Sequence, residues 1–404
     1  MKSWKIRACA LTLSGLLLTA LTISVPVSAD GLYESEVASI TSEEAIITEA
    51  QVQQIPAKSA VLMDAASGQI LFEMNAHEKT PPASITKIMT MLLVMEALEE
   101  GKIGYQDKVT CSDHAAEQGG SQIWLEPGET MTVEELLKAT AVNSANDASM
   151  ALAEYVAGTE EAFVSQMNAR ASELGMANTC FQNPTGLDED GHYSTAYDIA
   201  LMSKELLKHE DITRFSTIWM DSLRGGETAL TNTNKLVRFY EGCTGLKTGT
   251  TDGAGSCLAA SAMRNDLHLI AVSMGSTTSD DRFSSCRTLL DYGFSAFESF
   301  TPHLDPAQLS AIAVQNGVHP FVSLIYEEIP SLLVAKGKAD EIGCTVSIPD
   351  TISAPISEHQ AVGKISYTLD GRLLAEVNVL AEHAVPLMTF GSAISLLWQA
   401  LIRA

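Results

Sequence analysis

The stretch Pro82-Ala83-Ser84-Ile85-Thr86-Lys87-Ile88-Met89-Thr90 runs into an apolar series: Met91, Leu92, Leu93, Val94, Met95 and Leu98. Prolines are tolerated in a first helical turn, so the pattern predicts a helix beginning just after Pro82. Ser84 then lies at or near its N-terminus, and Lys87 sits one turn on, on the same face. A serine hydroxyl is a poor nucleophile at neutral pH and needs a base beside it. A lysine amine can be that base only when neutral, and burial and nearby positive potential both favour the neutral form. The helix N-terminus offers free N–H donors to a developing oxyanion. Taken alone the pair is weak evidence. Ser-x-x-Lys is expected about once by chance in a chain this long, and an ordinary amphipathic helix would carry it equally well.

Two companions follow in order. Ser144-Ala145-Asn146 is the only Ser-x-Asn in the chain, and Lys247-Thr248-Gly249 the only Lys-Thr-Gly. This trio resembles the active site of the serine penicillin-binding protein and β-lactamase superfamily. The surrounding text resembles one branch of it, the low-molecular-mass D-alanyl-D-alanine carboxypeptidases. The similar stretches are Pro82 to Thr90, Val142 to Ala148, Met167-Asn168, Leu174-Gly175-Met176, Asn183-Pro184-Thr185-Gly186-Leu187 and Gly245 to Gly249. The resemblance spans about Ala57 to Phe297, and runs more loosely to the C-terminus.

The resemblance implies an α+β fold: a β-lactamase/transpeptidase-like catalytic domain (antiparallel sheet plus helical cluster), then a small β-sandwich and a C-terminal amphipathic helix. It implies removal of the terminal D-alanine from peptidoglycan stem peptides, with β-lactam antibiotics as covalent inhibitors and no cofactor. Ser84 would attack the penultimate carbonyl, Lys87 would take its proton, and Ser144 would relay a proton to the leaving amine. Asn146 would hold Lys87 and the substrate backbone. Lys247 would supply positive charge, Thr248 would bind the terminal carboxylate, and Gly249 would leave room for substrate along a strand. The backbone N–H groups of Ser84 and Thr250 would form the oxyanion hole. Some relatives carry an arginine upstream of Lys-Thr-Gly. Here Asn232-Thr233-Asn234-Lys235 holds none, so carboxylate recognition falls to Thr248 and Thr250, or to Arg282.

The first residues read as a targeting segment. Lys2, Lys5 and Arg7 precede an apolar run from Ala8 to Ile23, and Val27-Ser28-Ala29 fits a cleavage site. The competing reading is an uncleaved membrane anchor, and either way the body of the protein is expected outside the cytoplasm, with residues 1–29 as signal and 30–56 as an exposed polar linker. The net charge is −25 and becomes −28 once Lys2, Lys5 and Arg7 are removed. Such a chain repels nucleic acid, and no basic cluster offsets this. Hydrophobic residues make up 46 %, enough for a sizeable core. Six cysteines remain after Cys9: Cys111, Cys180, Cys243, Cys257, Cys286 and Cys344. In a chain this large most read as small buried hydrophobes rather than staples. No metal-ligand spacing occurs, so no metal is expected.

Secondary-structure signals place the motifs. Ser59 to Asp64 and Gln69 to Glu73 predict a hairpin feeding the Ser84 helix. Thr132-Val133-Glu134-Glu135 is a capping box whose helix carries Leu136, Leu137 and Ala141 towards Ser144. Asn143 to Asp147 should interrupt that helix, because short polar side chains compete for backbone hydrogen bonds. Further helices are expected at 150–157, 161–174 and 196–209. Strands are expected at 245–251, 256–264 and 268–274, and a closing helix at 279–297. The catalytic domain is thus assigned to 57–301 and a β-domain to 302–385, with runs near 311–314, 321–325, 331–334, 344–348, 363–367 and 373–379. Asp370-Gly371 is a hairpin turn signal. In 386–404, Phe390, Ile394, Leu397, Trp398, Leu401 and Ile402 share one helical face. That face suits a membrane surface, and the competing reading is a helix docked on the β-domain.

Two other functions stay open on these residues: a β-lactamase on the same fold, and a penicillin-binding sensor without turnover. Class A β-lactamases activate the deacylating water with a glutamate in a Glu-x-x-Asn or Glu-x-x-x-Asn context. The first pattern occurs nowhere in this chain, and the second does not occur between the second and third motifs.

Overall fold

The computed structural model describes residues 49–305 and 309–403. The predicted signal segment and most of the linker lie outside the described residues. The remainder of the linker departs from the exposed reading. Glu49–Val52 is helical, and Val52 and Ile55 are buried. Two apolar side chains suffice to anchor this piece in the core.

Strands β1 (Ser59–Asp64) and β2 (Ile70–Met74) form the expected hairpin. The Asp64 carboxylate accepts from the Ser67 backbone N–H at 2.8 Å inside the turn. Three later strands complete one antiparallel sheet: β3 (Cys243–Thr251), β4 (Gly255–Arg264) and β5 (Leu267–Ser276), in spatial order β2-β1-β5-β4-β3. Asn265 and Asp266, which join β4 to β5, both have positive φ, +47° and +62°, the geometry of a tight hairpin turn. The sheet is covered on both faces. Val61, Met63, Ile270 and Val272 join the helical core, while Ala60, Leu62, Leu269 and Ala271 join a second core beneath the closing helix. This is the period-2 alternation of a strand with apolar residues on both sides.

Helix α1 (Lys87–Glu99) is preceded by a 3₁₀ turn over Ala83–Thr86. It is buried on every side from Lys87 to Met95, as a central helix should be. Helix α2 (Val133–Lys138) starts at the Thr132–Glu135 capping box. It widens into a π turn over Ala139–Asn143 and stops at Ser144, whose backbone is left-handed (φ +62°). Helix α3 (Asn146–Ala157) then resumes, so the interruption falls where the polar residues predicted it. Helices α4 (Glu160–Glu173) and α5 (Ala196–Leu207) complete the cluster, and α6 (Ser279–Ala296) packs on the other face of the sheet.

Beyond residue 301 short strands enclose a separate core of Ile365, Tyr367, Val377 and Val379, among others. Ala361–Leu369 and Arg372–Ala381 pair across Asp370-Gly371 (φ +52° and +77°). Two details differ from the expected runs. The 321–325 run breaks at Ser323, and its halves pair with different neighbours, Ile312–Gln315 and Arg372–Ala381. Thr351–Ser353, too short to signal itself, pairs parallel with Ile312–Gln315. The last helix, α7 (Phe390–Arg403), follows Pro386 as predicted.

Candidate active site

The three motifs meet at the edge of the sheet. Strand β3 is an edge strand of the sheet, and it packs against the 3₁₀ turn that carries Ser84. Gly249 makes that approach possible. A Cβ there would lie 2.9 Å from the Ala83 Cβ and 3.0 Å from the Ser84 nitrogen. Gly186 performs the same service from the opposite side. Its φ is +82°, and a side chain there would collide with the Ala83 carbonyl. The serine turn is therefore clamped between two glycines 63 residues apart in the numbering.

Lys87 is fully buried, and its amine has three acceptors. They are Ser84 Oγ at 3.0 Å, Asn146 Oδ1 at 2.6 Å and the Thr185 carbonyl at 2.5 Å. Burial holds its pKa well below the ordinary lysine value, and the charge of Lys247 adds to this while Asp147 opposes it. Lys247, also buried, donates to the Thr248 carbonyl at 3.0 Å. Its pKa falls to about 7 through burial and then the Arg282 charge. Two buried amines thus share one site, and the charge of Lys247 favours the neutral form of Lys87.

The second motif is anchored by the loop before it. Asn146 Nδ2 donates to the Gly119 carbonyl at 2.6 Å, and its backbone N–H to the Ser121 carbonyl at 2.7 Å. Asn143 donates to the Gln122 carbonyl. The buried Asp147 carboxylate accepts from the Ile123 and Leu125 backbone N–H groups at 3.0–3.2 Å. Ser144 is buried at the π turn's end with a left-handed backbone, a strained conformation for a residue that carries a side chain.

Arg282 is buried behind β3 and donates through Nη1 to the Gly249 carbonyl (2.9 Å) and Thr250 Oγ1 (2.7 Å). It braces the strand. Four contributors carried no sequence signal. Thr248 Oγ1 donates to Thr233 Oγ1 at 2.7 Å. The Thr185 carbonyl receives Lys87, and a backbone atom has no residue-type signature. Asp188 accepts from Thr251 Oγ1 at 2.7 Å. His192 lies 2.8 Å from the Thr86 hydroxyl through Nε2, while its Nδ1 accepts from the Gln182 N–H, which makes Nε2 the donor. Burial lowers the His192 pKa to about 4, so it is a neutral brace.

All six cysteines are free thiols. Cys111, Cys257 and Cys286 are buried, as expected, whereas Cys344 is exposed. Cys344 lies on the edge strand Gly343–Ser347, so it departs from the buried reading. Among the described residues no group of three His, Cys, Asp or Glu side chains could hold a metal.

Comparison with known proteins agrees with this geometry. Residues 46–278 match the family described as D-alanyl-D-alanine carboxypeptidase, and residues 297–387 match the C-terminal domain of penicillin-binding protein 5. The chain is 47 % identical over 331 residues to the D-alanyl-D-alanine carboxypeptidase DacF of Bacillus subtilis, covering 81 % of this chain and 85 % of that one. It is 36 % identical to DacC of Escherichia coli, over 81 % of this chain and 83 % of the relative. Among solved structures, penicillin-binding protein 5 of Haemophilus influenzae superposes with a TM-score of 0.72 at 32 % identity, covering 82 % of this chain and 98 % of that one. Fold and comparisons define the class as the low-molecular-mass penicillin-binding proteins. Within that class the chain belongs to the D-alanyl-D-alanine carboxypeptidase family.

Proposed function

We propose that this serine-type carboxypeptidase removes the terminal D-alanine of peptidoglycan stem pentapeptides through an acyl-enzyme on Ser84, and that penicillins acylate the same oxygen. The observation that carries the assignment is the Lys87 amine: buried, depressed in pKa and 3.0 Å from Ser84 Oγ. Ser84 Oγ attacks the penultimate D-alanine carbonyl carbon as its proton passes to Lys87. The resulting oxyanion is held by the backbone N–H groups of Ser84 and Thr250, which Gly249 and Gly186 keep within reach. Collapse breaks the amide C–N bond. The leaving amine takes a proton through Ser144, and D-alanine departs. Water then attacks the ester carbonyl, Lys87 takes its proton, and Ser84 is regenerated.

Asn146 orients Lys87 through its oxygen. The substrate carboxylate lies at Thr248, whose hydroxyl turns from Thr233 to meet it, with the Lys247 ammonium adding charge. Thr250 contributes its N–H, and Arg282 fixes the strand. The proposed organisation is signal segment 1–29, linker 30–56, catalytic domain 57–301, β-sandwich 302–385 and membrane-associating helix 386–404. The protein acts on the extracytoplasmic face of the membrane, held at the lipid surface by its last helix. That helix exposes Phe390 (84 %) and Leu401 (72 %) to solvent, which favours a surface-seeking helix over a docked one.

D-alanine release from a synthetic pentapeptide, with mass spectrometry of the penicillin adduct, tests the assignment. Ser84→Ala is expected to abolish both. An adduct mapped to any other serine overturns it.

A further inference from the structure

The loop Asn183–Asp188 touches both walls of the cleft. At its start, the Pro184 carbonyl accepts from Thr90 Oγ1 (2.7 Å) and Ser149 Oγ (3.1 Å), which fixes it to helices α1 and α3. The next carbonyl, Thr185, receives the Lys87 amine. Asn183 Oδ1 folds the loop on itself by accepting from the Thr185 N–H, the Thr185 hydroxyl and the Gly186 N–H. Gly186 then passes under the Ser84 turn. Two residues on, the Asp188 carboxylate crosses to the other wall. It accepts from Thr251 Oγ1 at 2.7 Å and from the Gly253 backbone N–H at 3.2 Å. The Thr251 hydroxyl oxygen in turn accepts from the Ala254 N–H at 3.0 Å, closing the turn between β3 and β4.

We infer that Asp188 is a positioning residue that latches the turn end of the Lys-Thr-Gly strand to the loop carrying the Lys87 acceptor, and so fixes the outer side of the strand for substrate. Strand β3 is an edge strand of the sheet, so its outer side has no neighbouring strand to hold it. Arg282 braces Gly249 and Thr250 from behind, and beyond them the turn exposes Asp252 and Gly253 to solvent. Asp188 supplies the only side-chain carboxylate bonded to this turn among the described residues. An extended peptide lying along β3 pairs with backbone groups whose position this latch fixes. The Ser84–Lys87 pair is held independently, by Pro184 and Thr185 at the loop's other end. Losing the latch therefore loosens substrate binding more than chemistry.

Asp188 is exposed, and hydrogen bonds in water contribute little to global stability. This separates a latch from an ordinary fold contact. The inference rests on the carboxypeptidase reading for its kinetic arm, so the test has a second arm that needs no substrate. In the full chain, Asp188→Ala is expected to raise KM for pentapeptide roughly tenfold, the worth of one good hydrogen bond, with kcat within about twofold. Asp188→Asn keeps one acceptor oxygen and should fall between the two. Amide hydrogen exchange at Thr250 to Gly253 should quicken by about tenfold in the alanine variant, with an unchanged melting temperature. Unchanged exchange at those amides overturns the latch whatever the enzyme does. So does a fall in melting temperature with kcat and KM lost together, which marks a fold contact. If wild-type protein releases no D-alanine while the exchange difference is present, the functional reading fails and the latch stands.

Discussion

The catalytic domain and the β-domain bury different things. Every buried charged or hydrogen-bonding polar side chain among the described residues, tyrosine aside, lies between Ser59 and Ser285. They include two lysines, an arginine and the carboxylates of Asp64, Asp147 and Asp198. The β-domain core is aliphatic apart from the buried Tyr367 and the half-buried Tyr326 packed against it. Burying a charge or an unpaired polar group costs several kcal/mol unless partners are supplied. The first domain supplies them: three acceptors for Lys87, three N–H donors for Asp147, and the Asn178 N–H and Thr179 hydroxyl for Asp198. On the proposed mechanism it carries that cost because acyl transfer needs a neutral amine beside a hydroxyl. The β-domain has no such task, and its burial is of the ordinary stabilising kind.

The sharpest test of this contrast removes the amine. Lys87→Ala should slow acylation by fluorescent penicillin at least a hundredfold, the usual worth of a general base. The same change opens a cavity and takes the amine from the Asn146 and Thr185 oxygens, so the melting temperature should also fall, and the rate is therefore read on protein shown to be folded. A loss of rate under tenfold would mean that another group takes the Ser84 proton.

A smaller effect should appear with pH. The Lys247 pKa lies near 7 in the protein against 10.5 in the free side chain. Above about 7 the ammonium is lost, so kcat/KM for the anionic substrate should decline on the alkaline side. Lys247→Arg keeps the charge and should flatten that limb. Stability runs the other way. The folded pKa is depressed, so the unfolded chain binds more protons between about 7 and 10.5, and stability should rise with pH through that window. Melting temperatures and kcat/KM taken across pH 6 to 10 check both signs. Parallel trends would mean that Lys247 is not the group titrating.

How much of this was legible from the sequence follows the range of the interactions. The capping box at Thr132, the interruption at Ser144 and the tight turn at Asp370-Gly371 depend on neighbouring residues, and each was read correctly. So was the pairing of Ser84 with Lys87, one helical turn apart. Thr233, Thr185, His192 and Asp188 were not read. Each reaches the site from a distant part of the chain, and two of the contacts use carbonyl or N–H groups that every residue type carries. Arg282 was read as a candidate carboxylate ligand, but its position behind β3 follows from helix packing that no local pattern records. Val52 and Ile55 were lost in a polar leader because two isolated apolar residues make no period.

The smallest effect on catalysis is expected at the other end of the molecule. Helix α7 presents Phe390, Leu397, Trp398, Leu401 and Ile402 at 66–84 % exposure, the opposite of the β-domain core it follows. Thr389 caps it by accepting from the Ser392 N–H at 3.2 Å, so the helix is framed without tertiary contacts from that apolar face. Its 14 residues span about 21 Å, less than the roughly 30 Å hydrocarbon core, and among the described residues no helix is long and apolar enough to cross a membrane. Lying in the interface satisfies both facts. The segment 387–404 contains one basic residue, Arg403, and no acidic one, so burial of the apolar face rather than charge should drive binding. Deleting 387–404 is expected to leave kcat and KM for pentapeptide within about twofold and to abolish co-sedimentation with phosphatidylcholine vesicles. Added salt, or anionic lipid in the vesicles, should change the intact protein's binding only slightly, because screening acts on charge and not on buried apolar area. Co-sedimentation that survives the deletion would sink the anchor. Binding that vanishes in moderate salt would show the attraction to be electrostatic, and the apolar face would then need another partner.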